Sequence, residues 1–320
     1  MQFRTRAIHV GQEADPSNGA VVPPIHLAST FVLPTANGDA QYDYARTGSP
    51  TRHAFEAVMA SLDGGARGLA FASGMAATHC VTMLLKPGDH LVTGTDIYGG
   101  SWRLFNNVLA ERGISVTAVD TTDLAAVDDA MRAETRMLWI EPTGNPLLSV
   151  TDVAGCAALA QKAGALLVAD NTLATPVLCR PLEMGADIVM HSVTKFLGGH
   201  GIALGGVVVD GGRFDWAAND KFPTLSQPYD GYHGISFVEE YGHQALSMRA
   251  RAEGLRDFGA AMSPANAFHL LQGVETLPLR MKRHVENTTT VIDFLEANDA
   301  VSWVSPVSYT HLTLPTNREV

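Results

Sequence analysis

Cysteine is scarce. Only Cys80, Cys156 and Cys179 occur in 320 residues, and none of them shares the close spacing of a disulfide framework or a metal pair. A reducing compartment is the expectation, with the cytoplasm as location and the three thiols as core packing residues. Basic residues are also few: 22 Lys and Arg stand against 33 Asp and Glu, a net charge of −11. Nucleic-acid surfaces need clustered cations, so no nucleic-acid partner is expected. No apolar run is long enough to span a bilayer, and Met1-Gln2-Phe3-Arg4-Thr5-Arg6 lacks the apolar core of a signal peptide, so no membrane partner is expected. No Gly-x-Gly-x-x-Gly follows a strand pattern, which removes a dinucleotide site. His9, His26, His53, His191 and His200 show no ligand spacing, so no metal is expected and these histidines read as structural or loop residues. What remains is 46% hydrophobic and 17% charged, the composition of a globular chain long enough to bury a large core.

The pattern along the chain is alternating. Short apolar runs at Gly68–Ala72, His90–Thr93, Ser115–Val119, Met137–Ile140, Ala165–Ala169, Ile188–Met190 and Gly205–Val209 read as strands. Between them lie helical patterns: Phe55, Val58, Met59 and Leu62 before a Gly64-Gly65 stop, Met75 to Leu85, Trp102 to Arg112, Thr122 to Glu134, and Asp152 to Ala163. Strand and helix in alternation predict an α/β fold with a mainly parallel sheet covered on both faces. After an irregular stretch from Asp210 to Gly234, helices are expected at Ala250–Phe258, Ala265–Gln272 and Leu279–Ala297.

The chemistry gathers at strand ends, where open α/β sheets bind ligands. Ile188–Met190 leads into Ser192-Val193-Thr194-Lys195 and a glycine-rich loop, Gly198-Gly199-His200-Gly201. A solvated lysine entering a loop is the common reading of such a stretch. The alternative is a lysine buried beside a core strand, where burial favours the neutral, nucleophilic amine, with Ser192 and Thr194 offering hydroxyls to a phosphate. The strand Ala165–Ala169 delivers Asp170-Asn171-Thr172 at the same kind of position. An acid and a lysine at two strand ends suit pyridoxal 5'-phosphate: the lysine forms a Schiff base and the acid pairs with the pyridinium nitrogen. Ser73-Gly74-Met75 joins a strand to a helix N-terminus, a setting for an anion, although a plain βα turn looks the same. Tyr98, before Gly99-Gly100, offers a flat face to a ring, or simply marks a turn.

Together, Ser73-Gly74-Met75-Ala76, Asp170-Asn171-Thr172 and Ser192-Val193-Thr194-Lys195 make the chain resemble the Cys/Met-metabolism family of pyridoxal-phosphate enzymes from about Arg4 to about Trp303. The resemblance implies a fold-type-I transferase with a seven-stranded sheet. It implies Lys195, Asp170 and Tyr98 as catalytic, with Ser73, Gly74, Met75, Thr172, Ser192, Thr194 and Asn145 also at the cofactor. It further implies that Tyr44 and Arg46 reach the cofactor phosphate of a neighbouring subunit, in a homodimer at least and a homotetramer by expectation. The family usually has Asn-Pro-Thr where this chain has Ser49-Pro50-Thr51. Gly198–Gly201, Gly231–Gly234, Leu255–Ala260, Ser263-Pro264 and Leu270–Met281 look most like the O-acetylhomoserine sulfhydrylase branch. Tyr98–Phe105 and Asp120–Asp123 sit nearer the γ-synthases and γ-lyases. The implied activity is replacement at Cγ of an O-acylated homoserine by a small sulfur donor. Cystathionine γ-synthase, a γ-lyase and an inactive homologue are the alternatives.

The domain reading is an arm over 1–50 and a large cofactor-binding domain over 51–245. Linking helices and the start of a smaller C-terminal α/β domain follow over 246–306. Residues 307–320, from Val307-Ser308-Tyr309-Thr310-His311, look like a translated library adapter. On this expectation the family's carboxylate-gripping arginine lies beyond the chain, and turnover is low.

Overall fold

The structure, a computed structural model, describes residues 1–35 and 40–305. The stretch Ala36-Asn37-Gly38-Asp39 of the arm and the foreign tail read over 307–320 lie outside them. Seven strands form one sheet: β1 (Arg67–Phe71), β2 (His90–Gly94), β3 (Ser115–Val119), β4 (Thr135–Ile140), β5 (Leu166–Asp170), β6 (Ile188–His191) and β7 (Gly206–Asp210). Their spatial order is β1-β7-β6-β5-β4-β2-β3. β2, β3, β4, β5 and β6 pair in parallel, while β7 is antiparallel to both β6 and β1. Only β7 is therefore reversed, and six strands end at the same edge of the sheet.

The strands read as unbroken apolar runs because both faces are covered. One face packs against α2 (Pro50–Asp63), where Phe55, Val58, Met59 and Leu62 meet Val189, Val207 and Val209. The other buries Phe71, Phe105, Trp139, Met190 and Val208. The sequence signals at the ends of α2 hold. Ser49 Oγ accepts from the Arg52 backbone N–H at the start, Pro50 opens the first turn, and Gly64 closes the helix in the left-handed conformation. The three cysteines are buried and unpaired. Among the described residues no helix is long and apolar enough to cross a membrane.

Four elements differ from expectation. The arm begins with a helix, α1 (Phe3–His9), whose Ala7 is fully buried and whose Arg6 side chain bonds the Ser61 carbonyl. Seven residues without a capping side chain are too short to be stable alone, so this helix is held by packing and leaves little local signal. The helix expected over Thr122–Glu134 runs only Leu124–Ala130, capped by Asp123, whose Oδ1 accepts from the N–H groups of Ala125 and Ala126. The helices expected at Trp102–Arg112 and Ala250–Phe258 are in large part wider-wound, with π-helical stretches at Leu104–Leu109 and Ala250–Asp257.

Candidate active site

The shared strand edge opens into a cavity of about 650 Å³. Five strand ends converge on it. β1 contributes Ser73, Gly74 and Met75; β2 leads to Tyr98; β4 leads to Glu141 and Asn145; β5 supplies Asp170 and Thr172; β6 leads to Ser192, Thr194 and Lys195. Every site residue read from the sequence thus lines one cavity, with two exceptions. Tyr44 and Arg46 stand elsewhere, where the Arg46 guanidinium lies 4.5 Å from the Tyr44 ring centroid and its Nε donates to the Arg256 carbonyl at 2.8 Å.

At one end of the cavity, Ser73 caps α3 (Gly74–Thr82), its Oγ accepting from the Ala76 N–H at 3.1 Å. A Cβ on Gly74 would come within 2.7 Å of Ser192 Cβ, so only glycine lets the helix start approach the end of β6 this closely. The Ser192 hydroxyl has no hydrogen-bond partner among the described residues, whereas Thr194 Oγ1 donates to the Gly205 carbonyl at 3.2 Å and accepts from its N–H at 3.1 Å. Ser192 is thus the freer donor of the pair that the sequence reading paired for phosphate.

In the middle, Asp170 is held from one side. Its Oδ1 accepts from Thr172 Oγ1 at 2.5 Å and from Thr172 N–H at 3.1 Å, while Thr172 Oγ1 in turn accepts from Ser192 N–H at 2.8 Å. One carboxylate oxygen is occupied, and the other has no hydrogen-bond partner among the described residues. Burial pushes the Asp170 pKa up, against the Thr172 hydrogen bonds and the charge of His191. Glu141 sits beside it, its Oε1 accepting from the Tyr98 N–H at 2.8 Å. Burial first, and then the charges of Asp170 and Asp96, push Glu141 up to about 9. The Tyr98 ring is partly open to the cavity and folds across Gly100, where any Cβ would strike it.

Lys195 corrects one expectation. The sequence reading has it buried beside the strand, but it is exposed. β6 ends at His191, and the turn that follows, closed by Gly198 N–H to Val193 O at 2.9 Å, carries Lys195 past the sheet edge to the cavity wall. Its amine makes no hydrogen bond or ion pair among the described residues. The turn is fixed from behind by Arg280, whose Nη1 donates to the Phe196 carbonyl at 2.6 Å and whose Nη2 donates to the Leu197 and Gly273 carbonyls at 3.2 and 2.7 Å.

Two residues escaped the sequence reading. Glu141 directly follows the strand Met137–Ile140, and the strand-end rule that singled out Asp170 applies to it equally. Arg280 lies inside the helix Leu277–Glu296, and nothing local distinguishes it from a solvated arginine.

The residues fit pyridoxal phosphate. The cavity is within the usual size for a cofactor with substrate. It pairs a helix N-terminus and a free serine hydroxyl for an anion with a half-free buried carboxylate, an open aromatic face and an unpaired amine. Ser101 Oγ and Thr143 Oγ1 line it as well, buried and without hydrogen-bond partners, a cost that a polar ligand relieves.

Glu141 gives a test of the buried acids. Its native pKa lies above the unfolded value, so between about 4.5 and 9 the folded state holds a proton that the unfolded chain has lost, and stability falls as pH rises. Glu141→Gln keeps the acceptor for Tyr98 and removes that titration. In the apoprotein its melting temperature should match wild type near pH 4 and exceed it by roughly 2 °C or more at pH 8. A difference that stays constant across this range in thermal melts would sink the assignment.

A model of the family described as Cys/Met metabolism PLP-dependent enzyme matches residues 4–318. The chain is 39% identical to the O-acetyl-L-homoserine sulfhydrylase of Leptospira meyeri, over 94% of this chain and 72% of that protein. It is 42% identical to the cystathionine beta-lyase of Coxiella burnetii, over 94% and 70%. Among solved structures, a putative O-acetylhomoserine (thiol)-lyase from Campylobacter jejuni, with N'-pyridoxyl-lysine-5'-monophosphate, superposes with a TM-score of 0.89 at 29% identity, covering 93% of this chain and 76% of that one.

Proposed function

This chain belongs to the Cys/Met metabolism family of pyridoxal-phosphate-dependent enzymes, and from that premise we propose that it exchanges the acyl group of an O-acylated homoserine for sulfur: O-acetylhomoserine and sulfide, or a thiol, give homocysteine, or its thioether, and acetate. The observation carrying this choice is where the sulfhydrylase-like segments fall. Gly198–Gly201 and Leu270–Met281 supply Gly199, Gly201 and Arg280 to the cavity wall, beside Lys195. The similarity to a cystathionine beta-lyase favours elimination as the second reading.

Pyridoxal phosphate, when bound, supplies an electron-withdrawing ring that stabilises negative charge on the neighbouring substrate carbon. Within the proposal, Lys195 would anchor it covalently, and the Lys195 amine would serve as base for the proton at substrate Cα and as base and acid at Cβ. Asp170 would use its free oxygen to hold a proton on the ring nitrogen. Tyr98 would cover the ring, Ser73, Gly74, Met75, Ser192 and Thr194 would hold the phosphate, and Thr172 and Asn145 would meet the polar groups around the ring.

Product analysis tests this. O-acetylhomoserine with sulfide should yield homocysteine and acetate faster than cystathionine or methionine yields ammonia and an oxoacid. Ammonia and an oxoacid from cystathionine, with no homocysteine formed from O-acetylhomoserine and sulfide, would decide for a lyase.

A further inference from the structure

On the opposite face of the sheet from the cavity lies a second pair of titratable groups. His191 is the last residue of β6 and Asp63 the last of α2, and both are fully buried. Nε2 of His191 stands 2.9 Å from Asp63 Oδ2, and Nδ1 stands 3.1 Å from the Asn171 carbonyl oxygen. A carbonyl oxygen only accepts, and so does a carboxylate. Both ring nitrogens must then donate, and only the imidazolium has two N–H groups. Burial opposes this charge, but Asp63, then Asp170 and the Asn171 carbonyl, raise the His191 pKa. Asp63 has no alternative compensation, since its Oδ1 is buried without a partner.

The placement matters because of what lies across the strand. Alternation puts His191 on the face of Val189, in the core under α2, while Met190 faces the cavity. Asp170 is paired with Met190 in the β5–β6 ladder and lines the cavity too. A buried cation and the half-free carboxylate thus occupy adjacent strand ends on opposite faces. The titratable groups facing the imidazole are Asp63 from α2 and Asp170 from β5. The Cys179 thiol, near Asp63, is pushed up to about 12 by burial and stays neutral.

We propose that His191, clamped by Asp63 and the Asn171 carbonyl, is a positioning residue that supplies Asp170 with a buried positive charge through the sheet. Asp170 sits in a site whose burial favours its neutral form; a neutral acid there donates a proton instead of holding one on a ring nitrogen. The cation opposes that push and favours the carboxylate without touching the ligand. This inference rests on the reading of Asp170 as the partner of the cofactor nitrogen.

A double-mutant cycle on cofactor affinity separates the two. Dissociation constants for pyridoxal phosphate, from equilibrium dialysis, and the pH midpoint of the visible band are measured for wild type, Asp170→Asn, the charge-neutral pair Asp63→Asn/His191→Gln, and the triple variant. Asp170→Asn should weaken binding at least tenfold; no loss there would overturn the Asp170 reading itself. The pair should weaken binding by about tenfold and shift the band midpoint, yet add almost nothing in the Asp170→Asn background. Equal losses in both backgrounds would mean that the pair only supports the fold, and the inference would fail while Asp170 stood. Should the pair not fold, the wild-type holoenzyme labelled with 15N-histidine decides. One ring with both nitrogens protonated at pH 8 is expected, and its absence overturns the inference.

Discussion

Lys195→Ala should abolish the visible absorbance band of the bound cofactor, its reduction by borohydride to a stable adduct, and any turnover. Among the described residues the cavity wall holds one lysine, and the other basic side chains that line it are Arg280 and His284. Neither replaces a primary amine: Arg280 is spent on three backbone carbonyls, and neither guanidinium nor imidazole forms a Schiff base. Non-covalent binding should persist in the variant, because the Ser73–Met75 helix start and the Asp170 oxygen are untouched. The expected result is therefore a protein that still binds pyridoxal phosphate reversibly, more weakly, with the spectrum of the free aldehyde. Loss of both the proton-transfer group and the anchor should cost at least ~10⁴-fold in rate, the upper end of what general acid–base catalysis alone contributes. Mass spectrometry of a borohydride-reduced digest gives the direct check. A cofactor adduct found at its full level on another residue, in the wild type or the variant, would remove Lys195 from its role.

Much of the framework was legible because the sheet is buried on both faces. A strand covered on both sides has no polar alternation, so Leu166–Asp170 and Gly206–Asp210 stand out as apolar runs ended by an acid. The direction of a strand leaves no such mark. β7 reads like its neighbours, and only its position between β6 and β1 reveals that it is reversed. Helix stops showed where a glycine was required, as at Gly64, and failed where the hydrogen-bond ladder merely widened, as in Leu104–Leu109, since a shift in ladder register changes no residue type. At the site, strand ends exposed Asp170 and Lys195 because a charged residue after an apolar run has few structural reasons to be there. Arg280 was invisible for the opposite reason. Its partners are backbone carbonyls 7, 83 and 84 residues away, and any arginine on a half-exposed helix presents the same sequence. The burial of Lys195 was misjudged because the sequence shows how the strand ends but not how far the next turn carries the chain beyond the sheet.

Arg46→Ala and Lys195→Ala subunits, each defective alone, should complement one another when mixed. Arg46 does not line the cavity of its own protomer. It is stacked on Tyr44 and donates to the Arg256 carbonyl, leaving part of a forked, always-charged guanidinium without a carboxylate partner among the described residues. The cavity, for its part, has a helix start and hydroxyls for a phosphate but, among the described residues, no free arginine of its own, since Arg280 is engaged. A dianion held without a cation forfeits the strongest class of hydrogen bond. These two deficits match if the arm of one subunit serves the site of its neighbour. Arg46→Ala alone should then weaken cofactor binding roughly ten- to a hundredfold, the scale of one or two charge-assisted hydrogen bonds. In a mixed dimer one site lacks both residues and the other has both, its lysine from one chain and its arginine from the other. At limiting pyridoxal phosphate, borohydride should trap about one cofactor per mixed dimer, with an affinity close to wild type, and turnover should return with it. If subunit exchange is demonstrated and the mixed species binds no better than Arg46→Ala alone, the arm does not cross between subunits, and the cation of the phosphate site must come from the same chain.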